Sequence, residues 1–110
     1  MLKDRMVRVK LLKHYREQRA LSYVGRVKTQ SEGWIVLEAK GVMVGRNLPG
    51  GAQVDAQAAP VLVPRDNIES IAVLPDTFDL NAIQVAIEGQ QIRLVVTGGA
   101  DCLPGEMGEG

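Results

Sequence analysis

The only tryptophan, Trp34, carries the clearest chemical signal in the sequence, because it closely follows a polar turn that contains Gln30 and Ser31. An indole exposed beside such a turn can stack a nucleobase, which is worth about 1–3 kcal/mol per base. A tryptophan that seals the hydrophobic core is the alternative, and the sequence leaves both open. Trp34 is therefore a candidate for binding rather than for catalysis.

Arg65 is the second candidate, since it is the one basic residue of a tight turn between apolar segments at 61–63 and 68–74. Its guanidinium can contact a phosphate group. It can equally pair with Asp66 or Glu69 across the turn, as exposed charges commonly do.

Residue types used in catalysis occur, but at no spacing that builds a catalytic site. His14 is the only histidine, and no carboxylate or thiol stands at metal-ligand spacing from it. Asp76 and Asp79 suggest paired carboxylates, although a helix or turn cap explains them as well. The glycine-rich stretch 45–51 lacks the Lys-Ser/Thr pair of a phosphate-binding loop. The sequence therefore predicts a non-enzymatic protein without a metal or cofactor.

Size and composition predict a single cytoplasmic domain. With 110 residues, 45% of them apolar, the chain can form one modest core that benefits from association. Cys102 is the only cysteine, which excludes an intrachain disulfide and fits a reducing compartment. The basic N-terminus contains no uninterrupted apolar segment, and nothing approaches the ~18 apolar residues that span a bilayer. We expect no membrane partner.

Charge is unevenly distributed although it sums to zero. Residues 1–28 contain nine of the 13 basic residues and two acidic ones, a net charge of +7; the remainder, with four basic and eleven acidic residues, carries −7. Such asymmetry can mark a face for nucleic acid, or two faces that attract each other between subunits. An ordinary solvated strand face beside an acidic half is the remaining interpretation.

Alternating apolar residues, and at 34–39 a near-continuous apolar run that favours burial on both faces, predict β-strands through the first 75 residues. The clearest example is VRVKLL at 7–12, where a strand is preferred although a helical period also fits. The predicted strands are 6–13, 20–29, 34–39, 61–63 and 68–74. Gly25 supplies a bend or bulge in the second strand. Residues 40–60 have the composition of a long loop, with a short strand continuation at 42–44.

The C-terminal part is predicted to add a hairpin and a tail. Residues 81–96 alternate on both sides of Gly89, which would cost a helix about 1 kcal/mol, so a hairpin is preferred over a helix. The glycine-rich end is predicted to stay flexible. The expected organisation is a barrel at 1–78, a hairpin extension at 79–98 and a flexible tail at 99–110.

The order of these features resembles the Sm/LSm family of RNA-associated ring proteins. VRVKLL resembles the family's first strand, YVGRVK its second, with the glycine at the bend, and IVLEA its third. VLVPRDNIESIAVLP at 61–75 resembles its Sm2 segment. The likeness covers about residues 5–75 and implies a mainly β fold, a five-stranded, strongly bent Sm-like (SH3-like) barrel, here with a C-terminal β-hairpin extension.

The resemblance also implies which residues contact RNA. In the family, an Asp and an Asn in the turn before the third strand help bind uridine-rich RNA, whereas here that turn reads TQSEGW. In the Sm2 turn, Pro64 and Arg65 stand where an Arg/Lys-Gly pair is expected, while the Asp-Asn-Ile that follows matches. RNA contacts are therefore implied at Asn67 and, offset by one position, at Arg65. Trp34 completes the candidate RNA-binding set.

A homo-oligomeric ring that binds single-stranded RNA around its pore is the assembly implied by the resemblance. Sheet edges give an independent reason, because unprotected edge strands such as 61–63 and 68–74 pair with another copy. Head-to-tail pairing of this kind can close into a ring. A ring that serves as a structural module and lacks RNA recognition is the alternative, since the family's Asp and Asn are missing from the turn at 29–34.

Overall fold

The computed structural model describes residues 2–14, 19–45, 48–88, 91–96 and 102–106, and its fold is mainly β. The strands are β1 Met6–Leu11, β2 Ala20–Gln30, β3 Trp34–Val44, β4 Ala52–Val54, β5 Ala59–Pro64, β6 Ile68–Val73, β7 Val85–Glu88, β8 Gln91–Leu94 and β9 Cys102–Glu106. Short 3-10 turns occur at Pro49–Gly51, Arg65–Asn67 and Leu80–Ala82. Within these ranges, no helix has the length and hydropathy needed to cross a membrane.

Six strands form one antiparallel sheet in the order β4-β3-β2-β1-β6, and β5 also pairs with β3. β5 and β6 are thus separated by three strands across the sheet, yet only the turn Arg65–Asn67 separates them along the chain. The sheet must therefore curl until these two strands approach each other. Among the described residues no backbone pairing joins β5 to β6. The mainly β class is confirmed, and closure into a barrel stays a prediction.

Side chains on one face of this sheet form the main core. Cross-strand partners such as Val7, Gly25 and Ala39 share that face. The buried members of the core are Val7, Val9, Val27, Ile35, Leu37, Ala39 and Val63. Because Val63 of β5 and Ile68 of β6 pack against the same cluster, this is the concave face of the curled sheet.

Gly25 permits a close approach between the backbones of β2 and β3. A Cβ at this position would lie 2.1 Å from the carbonyl oxygen of Glu38 and 2.6 Å from the Cα of Ala39. The register shift between β2 and β3 occurs further along, between Val27 and Thr29. Gly25 therefore serves the close packing of two backbones, and the irregularity in pairing lies beyond it.

β3 runs unbroken through the predicted strand at 34–39 and its predicted continuation at 42–44, and β4 pairs with this last part. The predicted loop at 40–60 thus contains paired strand. Between β4 and β5, Asp55 bridges to β3: its Oδ2 accepts a hydrogen bond from the Gly41 N–H at 2.8 Å, and its N–H donates to the Gly41 carbonyl at 3.0 Å. β4 was not predicted, because Ala-Gln-Val lacks a β-branched run and its pairing depends on the backbone of β3.

The C-terminal strands form a second antiparallel sheet in the order β7-β8-β9. β7 and β8 form the hairpin that the alternation at 81–96 predicts. β9 pairs with β8 in a segment whose composition favours a flexible tail, since strand pairing uses backbone groups and does not require an apolar segment. The rest of that tail, residues 99–101 and 107–110, lies outside the described residues.

A second core lies between the two sheets. β9 contacts β1, β2 and β3, so the C-terminal sheet covers the convex face of the first sheet. The buried members are Met6, Val24, Val42, Leu74, Leu94 and Val96. Arg8 and Lys40 pair across the sheet with Val24 and lie on this same convex face, where each is only 7% exposed. The C-terminal segment is therefore an integral layer of the fold.

Candidate functional site

A cleft of about 580 Å³ opens where the turn between β2 and β3 meets the turn between β5 and β6. Its apolar lining is supplied by Ile35, Ile68 and Ile71. Its remaining lining residues are Gln30, Ser31, Glu32, Trp34 and Arg65. The fold thus brings together Trp34 and Arg65, two of the three residues that the sequence singles out, although they lie 31 positions apart in the chain.

Trp34 is 38% exposed, so its ring is not sealed in the core. It begins β3 directly after the turn, and its carbonyl accepts a hydrogen bond from the Ser31 N–H at 2.9 Å. Opposite Trp34 in the strand pairing stands Pro64, the last residue of β5. Backbone pairing consequently holds Trp34 in place, while part of its side chain remains exposed to a ligand.

Arg65 holds the neighbouring turn through two hydrogen bonds. Its backbone N–H donates to the Gly33 carbonyl at 2.9 Å, and its Nη1 donates to the Glu32 carbonyl at 3.2 Å. Within the described residues it forms no ion pair with Asp66 or Glu69, and the latter pairs with Lys10. The guanidinium keeps further N–H donors that can bind a phosphate in the cleft.

Asn67, the third predicted site residue, does not line the cleft. It ends the 3-10 turn, is half-buried, and accepts a hydrogen bond on its carbonyl from the Leu12 N–H at 2.8 Å. This bond ties the end of β1 to the turn that carries Arg65. Asn67 therefore shapes the turn through its backbone, and direct contact with a ligand in the cleft stays a prediction.

Sequence reasoning missed Glu32, Ile35, Ile68 and Ile71 as members of the site. The position of Glu32 in the turn before Trp34 was a usable signal, since the residues of one tight turn share one place on the surface. Ile71 gave no such signal, because a large apolar side chain in a strand is usually buried. It is 36% exposed because β6 lies at an edge of the sheet.

Two polar side chains of the cleft have their acceptor atoms occupied. Oε1 of Gln30 accepts from the Leu2 N–H at 3.2 Å, and Oγ of Ser31 accepts from the Gly33 N–H at 3.3 Å. The Gln30 amide and the Ser31 hydroxyl can therefore still donate to a ligand. The cleft offers stacking surface, an apolar floor, a cation and hydrogen-bond donors.

Part of the charge asymmetry is satisfied within the chain. Nζ of Lys10 lies 2.8 Å from a carboxylate oxygen of Glu69, and Asp76 faces both Arg5 and Arg26 at 3.8 and 3.9 Å. The basic first segment therefore meets acidic residues of its own chain. Other cations of that segment are exposed and form no ion pair with the part of the chain that the structure describes: Lys3, Lys13, Arg19 and Lys28.

Asp76 and Asp79 do not act as a carboxylate pair in this arrangement. Asp76 is engaged by Arg26, which also donates from Nη2 to the Asp76 carbonyl at 2.8 Å. Oδ1 of Asp79 accepts from the Asn81 N–H at 2.8 Å and caps the 3-10 turn Leu80–Ala82. The sequence allowed either a carboxylate pair or a cap, and Asp79 is a cap.

Comparison with known proteins adds no family to this geometry: no protein-family model, curated protein or solved structure is significantly similar to the chain, so its function has to be argued from the residues of the site.

Proposed function

We propose that this chain is a non-enzymatic, Sm-like protein that assembles into a homo-oligomeric ring and binds single-stranded RNA in the cleft between its two turns. The observation that carries the proposal is the joint presence of a partly exposed indole, Trp34, and a guanidinium, Arg65, in one cleft. These are the two groups that a single strand requires, a surface on which a base stacks and a cation for the backbone.

The floor of the cleft supports binding of an unpaired base. A base that stacks on Trp34 would cover apolar side chains of Ile35, Ile68 and Ile71, which removes further apolar surface from water. Arg65 is anchored to the opposite turn by its bond to the Glu32 carbonyl, so its position is set before a ligand arrives. Preorganisation of this kind reduces the entropic cost of binding.

The edges of the sheet support the assembly part of the proposal. β5 pairs only with β3 and β6 only with β1 among the described residues, so each has one side without a partner strand. Leu62 on β5 is 59% exposed, and Ile71 and Val73 on β6 are 36% and 50% exposed. Edges of this kind, with exposed apolar side chains, favour pairing with a second copy.

Titration of labelled oligouridine and oligoadenine at several salt concentrations tests the RNA part. The slope of log affinity against log salt should be about −0.7 per phosphate contact. Arg65→Ala should flatten this slope, whereas Trp34→Ala should weaken binding and leave the slope nearly unchanged. Arg65→Lys, which keeps the charge, serves as the matched control for the slope. Failure of the wild-type protein to bind either strand at low salt would reject RNA binding.

A structural module that forms a ring without recognising RNA is the second candidate. The observation that favours it is that acidic residues of the same chain neutralise part of the basic segment: Lys10 pairs with Glu69, and Arg26 pairs with Asp76. These cations are therefore less available to phosphates. An oligomer that carries no nucleic acid and binds none at low salt would select this function over the first.

A further inference from the structure

Among the described residues that line the cleft, Glu32 supplies the only carboxylate. Its side chain is exposed, and no residue in the described ranges forms an ion pair with it. Arg65 lies in the same lining but contacts the backbone carbonyl of Glu32, not its carboxylate. A carboxylate repels the phosphates of a bound strand, so a favourable role for Glu32 has to come from hydrogen-bond donors on the base.

An ionised carboxylate is an acceptor with two oxygens, and its strongest partners present two parallel N–H groups. Guanine meets this requirement, because its N1–H and N2–H lie side by side on one edge. Adenine and cytosine each offer one amino group next to a ring-nitrogen acceptor. Uracil offers a single N3–H between two carbonyl oxygens, which a carboxylate repels. Hydrogen bonding to Glu32 therefore ranks guanine first and uracil last.

The other groups of the cleft fit the same base. Ser31 and Gln30 retain donors, and the O6 carbonyl of guanine, next to N1–H, is an acceptor for either of them. A purine also covers more of the Trp34 ring than a pyrimidine does. The stacking surface and the donors thus favour the base that the carboxylate selects.

We infer that Glu32 is a specificity-determining residue that makes the cleft prefer guanine over the other bases of a single strand. The inference rests on the proposed RNA binding in the same cleft. The inferred guanine preference departs from the uridine preference that the family resemblance implies. The reason for the difference is Glu32, which stands in the TQSEGW turn.

Short oligouridines that carry one central guanosine, adenosine or cytidine, compared with the all-uridine strand by fluorescence anisotropy, test this inference. The wild-type protein should bind the guanosine strand about tenfold more tightly than the all-uridine strand, the size of one bidentate contact. Glu32→Gln should bring this ratio close to unity, because the amide keeps only one acceptor oxygen. Asp66→Asn is the matched control: Asp66 is exposed and lies outside the cleft lining, so the variant should retain the ratio.

The outcomes separate this inference from the function on which it rests. Equal affinity for the guanosine and all-uridine strands would overturn the guanine preference and leave RNA binding intact. A guanine preference that persists in Glu32→Gln would overturn the role of Glu32. Failure of every strand to bind at low salt would reject the proposed function itself.

Discussion

Arg65 serves two roles that an alanine substitution removes together. Its side chain holds the turn at residues 31–33 through the Glu32 carbonyl, and Arg65 lines the cleft in which Trp34 is partly exposed. Loss of Arg65 would thus remove a cation and loosen the turn that precedes Trp34. The lysine variant separates these roles, because it preserves the charge but lacks the planar fork of donors.

Gly25 is expected to be the glycine least tolerant of substitution. In Gly25→Ala, the new Cβ would meet the backbone of Glu38 and Ala39 at 2.1 and 2.6 Å, so two strands must separate. We expect a loss of about 1–3 kcal/mol in the free energy of unfolding, toward the upper end because backbone atoms cannot rotate away. Urea denaturation measures it.

Gly33→Ala is the control for this prediction. Nothing lies within 4 Å of a Cβ built at Gly33, and its φ is not positive. Its free energy of unfolding should stay within about 0.5 kcal/mol of the wild type. Equal losses in the two variants would contradict the close approach of β2 and β3 at Gly25.

Asp55 is expected to stabilise the junction between β4 and β5. In Asp55→Ala, the N–H of Gly41, a buried residue, loses the carboxylate oxygen that accepts its hydrogen bond at 2.8 Å. An unsatisfied buried donor costs about 1–3 kcal/mol, which chemical denaturation would detect. Asp55→Asn keeps an acceptor oxygen and should retain most of the stability. If Asn is as destabilising as Ala, the hydrogen bond is not the cause.

At the scale of elements, period-two alternation predicted β1 and β2, and a near-continuous apolar run predicted the start of β3. β2 and the start of β3 alternate in burial, whereas Met6–Val9 of β1 are all buried because the C-terminal sheet covers the convex face. The observed ends of β1 and β2 differ from the predicted ones by one or two residues. β4 and β9 were not predicted, because each depends on backbone pairing with a neighbour rather than on its own apolar residues. Such strands cannot be identified until their partners are known.

The candidate site was predictable only in part for a related reason. Trp34 and Arg65 were found because an aromatic and a cation each stand at a turn, and turns lie on the surface. Their meeting in one cleft depends on the pairing of β3 with β5, which joins the two turns. Exposure of Ile71 depends on the edge position of β6, and alternation along one strand does not reveal an edge.

The C-terminal sheet is expected to contribute to stability as a layer of the core. Leu94 is fully buried against residues of the first sheet, including Met6 and Val24. Leu94→Ala should therefore reduce the free energy of unfolding by about 2–5 kcal/mol in urea denaturation. Leu12→Ala, at a site that is 39% exposed, should cost far less. If both variants lose a similar, small amount of free energy of unfolding, the C-terminal sheet contributes little to the core.

For the whole molecule, the sides of β5 and β6 that lack a partner strand among the described residues predict self-association. Val73 is 50% exposed on β6 and lies outside the cleft lining, so Val73→Lys places a charge on the edge without altering the proposed ligand site. Charged side chains on edges block strand pairing. Sedimentation at micromolar concentration should give an oligomer for the wild type and for Leu12→Lys, and a smaller species for Val73→Lys. A strictly monomeric wild type would reject assembly through these edges.

The joint claim of assembly and RNA binding is tested most directly by native mass spectrometry of protein purified without nuclease treatment. The mass reports the number of subunits and any bound nucleic acid in the same spectrum. We predict a single homo-oligomer whose mass exceeds the sum of its chains by that of a bound RNA, and nuclease treatment should remove the excess. A spectrum that contains only the monomer, with no nucleic acid, would contradict both parts of the account.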